Sequence, residues 1–283
     1  MQLIKNISIP GSENYPIGID ICFINSTTKK PVVIYAHGFN GFKDWGNFDL
    51  IANRFASLGF VFIKFNFSHN GTSIQEPEAF TQLELFGNNN YTKELYDLNA
   101  VINWAVEQDN PYANQINPAK LSLIGHSLGG GMAILQTSVD ARIRQLVTWA
   151  AVAACKTPWT NWTQNQLNDW QQTGVAYYTN TRTNQQMPLY YQLYQDFIQN
   201  STILNIEQAI QNINIPLLIC HGLNDKAVPV NSAYHLAQLQ PAASLFIIDS
   251  DHVFGRKHPW TADNLPQAMD AVVKRTIHFL QNA

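Results

Sequence analysis

Charge is scarce in this chain of 283 residues: Asp, Glu, Lys and Arg make up 13%, and the formal net charge is −3. No long Lys/Arg run occurs, which excludes the electrostatic footprint of a nucleic-acid surface. Cysteine is rarer still. Cys22, Cys155 and Cys220 are odd in number and far apart, so neither a disulfide framework nor a paired-cysteine metal site is expected. HExxH is absent, and no His/Asp/Glu cluster has ligand spacing, so no metal is expected. Gly129-Gly130-Gly131 lacks both the dinucleotide spacing G-x-G-x-x-G and the Lys-Ser/Thr of a phosphate loop, so no cofactor is expected either. No apolar run approaches the length of a membrane span. The opening MQLIKNISIPGSEN lacks the continuous apolar core of a signal peptide, and with few, unpaired cysteines this predicts a cytoplasmic protein.

Apolar residues are plentiful, at 46% of the chain, and suffice for a large buried core. Residues 2–9 and 17–24 flank a Gly11–Pro16 turn and predict a β-hairpin. PVVIYAHGF then reads as a buried strand. Phe48, Ile51, Phe55 and Leu58 share one helical face, with Gly59 as the stop. FVFIKFNF (60–67) is a further strand, and Leu95, Leu98, Ile102 and Ala105 recur at helical spacing. LSLI (121–124), QLVTWAAVA (145–153), IPLLICHG (215–222) and SLFIID (244–249) read as strands separated by helical segments. This alternation predicts one α/β domain over 1–283, with a mostly parallel, doubly wound sheet opened by an antiparallel hairpin. Residues 155–213, rich in Trp, Tyr, Asn and Gln, are too long for an ordinary connection and predict an inserted lid.

The chemistry gathers around LSLIGHSLGGG. Gly125-His126-Ser127-Leu128-Gly129 is a G-x-S-x-G pattern between a strand and a helix, the context of a nucleophile elbow. Glycine at 125 and 129 lets the two backbones approach, and Ser127 is placed at the apex. A serine hydroxyl needs a base within hydrogen-bond reach. In doubly wound folds such groups collect on loops beyond the carboxyl ends of strands. His252, in DSDHVFG, directly follows a strand and is the expected base; Asp225, in HGLNDKAVP, is its expected acid partner. Adjacent Asp251 is poorly placed to face His252, and His126 and His221 read as structural. The acylation oxyanion needs preorganised N–H donors, here the backbone of Leu128 at the helix start and of Phe39 in His37-Gly38-Phe39-Asn40-Gly41. Trp159, Trp162 and Tyr177 of the insertion, with His69 on a carboxyl-end loop, are candidate substrate contacts. Glu84, Glu94 and Arg182 read as surface residues.

HGFNG, GHSLGG, HGLNDKAVP and DHVFG resemble, in order, the oxyanion loop, nucleophile elbow, acid loop and histidine loop of the α/β-hydrolases. HGF with a short loop, DHxF and an insertion between the sixth and seventh strands are similar to the dienelactone-hydrolase-like and feruloyl (cinnamoyl) esterase-like branch. The HGGG of the hormone-sensitive-lipase branch is missing. Dienelactone hydrolases proper use cysteine where this chain has Ser127. The resemblance implies a serine hydrolase cleaving a small-molecule carboxylic ester through an acyl-enzyme. Peptidase or amidase and thioesterase activity with the same triad are the alternatives. A non-catalytic binding protein of this fold is expected to lack a triad member, and none is missing here.

Overall fold

The computed structural model describes residues 1–283. The chain opens with the hairpin β1 (Gln2–Pro10) and β2 (Pro16–Phe23), then β3 (Lys30–Ala36), α1 (Phe48–Ser57) and β4 (Val61–Asn66). α2 (Leu83–Gly87) and α3 (Tyr91–Val106) lead into β5 (Ile116–His126), α4 (Leu128–Val139) and β6 (Ile143–Trp149). An inserted segment follows, with α5 (Gln164–Thr173), β7 (Val175–Thr179), β8 (Gln186–Tyr190), α6 (Gln192–Gln199) and α7 (Ile206–Gln211). The chain closes with β9 (Leu217–Gly222), α8 (Asn231–Leu239), β10 (Ser244–Ile248) and α9 (Gln267–Asn282).

Eight strands form one sheet in the order β1-β2-β4-β3-β5-β6-β9-β10. β1 and β2, and β2 and β4, pair antiparallel, and every later pairing is parallel. Parallel strands must be covered on both faces, and alternate residues of β3 show how. Val32, Ile34 and Ala36 join the core beneath α3, α4, α7 and α8, whereas Val33 and Tyr35 join the one beneath α1 and α9. No helix is long and apolar enough to cross a membrane.

One boundary differs from the sequence expectation. β6 stops at Trp149, because Ala150 takes a left-handed φ of 50° that turns the chain out of the sheet. Pro266 caps α9 from outside its first turn. Between β6 and β9 the insertion extends the core beneath α3 and α4: Trp170 is buried in it, donates from Nε1 to Leu189 O at 2.7 Å, and meets Trp162 edge-on at 5.0 Å.

A buried ion network ties the antiparallel end of the sheet to the loop after β3. Asp20 on β2 and Lys64 on β4 are direct cross-strand partners, 3.1 Å apart at their charged atoms. Lys43, from that loop, reaches Asp20 at 2.8 Å and Asp44 at 2.5 Å. Lys64 also contacts Asp44, and Asp49 at 2.6 Å. Lys43 N–H donates to Asn66 Oδ1 at 2.6 Å, so the loop is fixed to the end of β4 by charge and by hydrogen bond. Removing one partner leaves an uncompensated buried charge. Lys64→Met should therefore lower unfolding free energy by about 3–5 kcal/mol. Lys5→Met, at the exposed rim of the network, should cost less than about 1 kcal/mol. Urea midpoints of the two variants check this, and equal, small losses would contradict it.

Candidate active site

β5 ends and α4 begins without a connecting loop, and Ser127 sits at the join with φ 55° and ψ −121°. Such a backbone conformation costs roughly 1–3 kcal/mol for a non-glycine residue and persists only where its surroundings over-determine it. Here they do. Ser127 N–H donates to Trp149 O at 2.9 Å, and Ser127 O accepts from Gly130, Gly131 and Val152 at 3.0–3.3 Å. A Cβ on Gly129 would lie 2.5 Å from Ala36 O, and one on Gly38 would lie 2.7 Å from Ser127 Cβ. The glycines therefore bring the elbow and the loop after β3 into backbone contact.

His252 and Asp225 come from the loops after β10 and β9. His252 Nδ1 and Asp225 Oδ2 are 2.7 Å apart. Asp225 Oδ1 accepts from the N–H groups of Ala227 (2.9 Å) and Val228 (2.8 Å), and His221 Nε2 lies 3.2 Å from Oδ2. Burial opposes ionisation of this carboxyl, but the bonds from His221, His252 and Val228 outweigh it and hold its pKa well below the usual carboxylate range. His221 Nε2–H is also directed to Val228 O at 2.8 Å, so His221 braces the acid loop. His126 Nε2 meets His252 O at 2.9 Å with its ring 4.8 Å from that of His252, and burial drives its pKa well down. It holds the histidine loop as a neutral donor.

Ser127 and His252 line one cavity of about 270 Å³. Neither Ser127 Oγ nor His252 Nε2 has a hydrogen-bond partner, and such bonds tighten on substrate binding in many hydrolytic sites. Phe39 lies in the same cavity wall, its N–H without a partner, and Leu128 opens α4, where helix geometry leaves the N–H free. The loop carrying Phe39 is held by His37, whose Nδ1 is 2.9 Å from Gly38 O and whose buried ring has its pKa lowered to about 4. Asn40, with φ 58°, receives the hydroxyl of Tyr178 from β7.

The four expected substrate contacts do not reach this cavity. Trp159 is buried against Tyr194 and Phe197, and Trp162 packs on Trp170, both as part of the core beneath α3 and α4. Tyr177 is 61% exposed: strand alternation turns it outward and turns Tyr178 inward. His69 is fully buried, 2.8 Å from Ser68 Oγ and 3.2 Å from Glu13 Oε2. Glu94, expected at the surface, is buried.

Two arginines take their place. Arg182, at the turn between β7 and β8, lines the cavity with its guanidinium 5.3 Å from the Phe42 ring centre. Arg256 is 4% exposed and stacks on Trp45 and Phe48 at 5.4 and 5.0 Å. Its Nε donates to Val253 O, whereas the buried Nη1 and Nη2 have only the Tyr35 hydroxyl beside them, short of full hydrogen-bond geometry. No Asp or Glu lines the cavity. Arg256 was within reach of sequence reasoning, since it follows His252 by four residues on the same carboxyl-end loop.

Sheet order, elbow and layering define an α/β-hydrolase fold. Residues 47–258 match the model of the prolyl oligopeptidase family, and the chain belongs to that family of hydrolases. Among solved structures, it is similar to the esterase domain of a Rhodothermus marinus protein, at 16% identity and TM-score 0.63, covering 99% of this chain and 100% of that one. It is also similar to the alpha/beta hydrolase GrgF from Penicillium sp. sh18, at 14% identity and TM-score 0.74, covering 99% and 98%. Over 125 residues it is 30% identical to an uncharacterized 31.7 kDa protein of the traX-finO intergenic region of Escherichia coli. That match spans 44% of this chain and 38% of the relative.

The depressed pKa of Asp225 gives a signed expectation. Its ionised form contributes stability that is fully present above the unfolded-state value of about 4 and is lost as pH falls below it. Asp225→Asn should lower stability at neutral pH by roughly 1–3 kcal/mol. Urea titrations from neutral to acid pH should show the gap between wild type and variant closing. A constant gap would contradict this account of the carboxylate.

Proposed function

We propose that the protein is a serine hydrolase of carboxylic esters, acting through Ser127, His252 and Asp225, on substrates that carry an anionic group. Ser127 Oγ attacks the acyl carbonyl while His252 Nε2 takes its proton and later passes it to the leaving alcohol. Asp225 keeps the Nδ1–H tautomer and stabilises the imidazolium. The N–H groups of Phe39 and Leu128 receive the oxyanion, at roughly 3–4 kcal/mol per donor. Water then resolves the acyl-enzyme, with the β7–β8 turn of the insertion covering the cavity as a lid.

The observation that carries the reading is His252 Nδ1 on Asp225 at 2.7 Å with Ser127 in the same cavity. The anionic preference rests on Arg256, a buried guanidinium with only the Tyr35 hydroxyl beside its Nη atoms and no carboxylate among the residues that line the cavity. Membership of the prolyl oligopeptidase family keeps amide cleavage as the second reading. An aromatic wall without paired opposite charges favours the ester.

Ser127→Ala should lower turnover of p-nitrophenyl esters by roughly 10⁴–10⁶-fold. Arg256→Met should raise KM for monoesters of dicarboxylic acids about tenfold or more and leave neutral esters near wild type. Aminoacyl anilides cleaved faster than any ester would favour the amide reading. Wild-type turnover in Ser127→Ala would end the proposal.

A further inference from the structure

A second, smaller cavity shares Phe39 with the first and is also walled by Leu128. It is lined by Phe39, Phe86, Leu128, Leu189, Asn89 and Glu94 among others, with room of about 10 Å³, enough for one water-sized group. Its walls are apolar except at Thr157 and around the N-terminal end of α3. There Glu94, 5% exposed, accepts from Asn89 Nδ2 on Oε1 at 2.8 Å. The other oxygen, Glu94 Oε2, and Asn89 Oδ1 are both buried with no partner. Leaving two such atoms unmatched is costly, and native structures rarely do so without cause.

We propose that this cavity is an acyl-side subsite for a hydroxyl group, read by Glu94 and Asn89 as specificity-determining residues. The inference rests on the serine-hydrolase reading above. With the carbonyl oxygen between the N–H groups of Phe39 and Leu128, the first atoms of the acyl chain lie against the residues that wall the cavity. Burial pushes the Glu94 carboxyl up to about 8, with Asp97 on the same helix and Asp196 on α6 adding to the shift. Buried Cys155 and Tyr91, whose own groups stay protonated, are the other titratable neighbours. At neutral pH Glu94 is therefore a carboxylic acid. Because Oε1 already receives an N–H, the proton is on Oε2. The pair then presents one O–H donor and one amide-oxygen acceptor. A hydroxyl satisfies both, whereas a methylene satisfies neither and a carboxylate adds like charge beside Asp97 and Asp196.

Hydrolysis of p-nitrophenyl butanoate, α-hydroxybutanoate and β-hydroxybutanoate by wild type, Glu94→Gln and Glu94→Leu tests this. Wild type should favour one hydroxy ester by about tenfold in kcat/KM, the size of one matched hydrogen bond. Glu94→Gln, whose amide N–H replaces the O–H, should keep most of that preference. Glu94→Leu should lose it, the kcat/KM values for the three esters converging. The wild-type preference should also fall as pH passes about 8, and that of Glu94→Gln should not, a difference that stands even if Glu94→Leu does not fold. Equal ratios in all proteins at every pH would overturn the subsite and leave a solvent site. Absence of any ester turnover in wild type would instead refute the serine-esterase reading, and the subsite with it.

Discussion

The close approach of two backbones, at Gly129 against Ala36 and His37, is the constraint on which the site depends. A Cβ on Gly129 would meet Ala36 O at 2.5 Å, and one on Gly38 would meet Ser127 Cβ at 2.7 Å. Only glycine permits this contact, and only this contact sets a strained serine beside the Phe39 loop. The loop's far end is fixed by Lys43 to Asp20 and Asn66. The antiparallel end of the sheet, remote from the elbow in sequence, thus takes part in placing an N–H donor.

A second ordering principle is that burial and hydrogen bonds hold several groups around the site in one state. Asp225 is kept ionised by His221, His252 and the backbone of Val228. His126 and His37 are kept neutral by burial. Arg256 is buried with two nitrogens lacking a full partner, and Glu94 is buried as an acid beside an unmatched amide oxygen. Among the buried polar atoms without a full partner, those of Arg256, Glu94 and Asn89 lie on residues that line the two cavities. In the proposed function those atoms are where a substrate's polar groups are read.

The sheet, its layering and the elbow were legible because they rest on local signals: alternating apolar runs, glycine at fixed offsets, and residues just past strand ends. The His252–Asp225 pairing followed from the same placement rule. The substrate contacts did not follow. The insertion's aromatic residues look alike in sequence, and only their packing, Trp159 against Tyr194 and Phe197 and Trp162 on Trp170, shows that they belong to the core and not to the cavity wall. Tyr177 and Tyr178 differ by one residue in strand phase, which nothing in the sequence sets. Glu94 falls on a polar-looking helix start, yet α6 and the insertion bury it. These outcomes depend on contacts between distant segments, for which a single sequence carries no local mark.

Covalent labelling addresses the nucleophile most directly. Reaction with a fluorophosphonate, followed by peptide mass mapping, should give one adduct, on the peptide that contains Ser127, formed far more slowly in His252→Ala. An adduct on another serine, or none on a protein that still hydrolyses esters, would contradict the account.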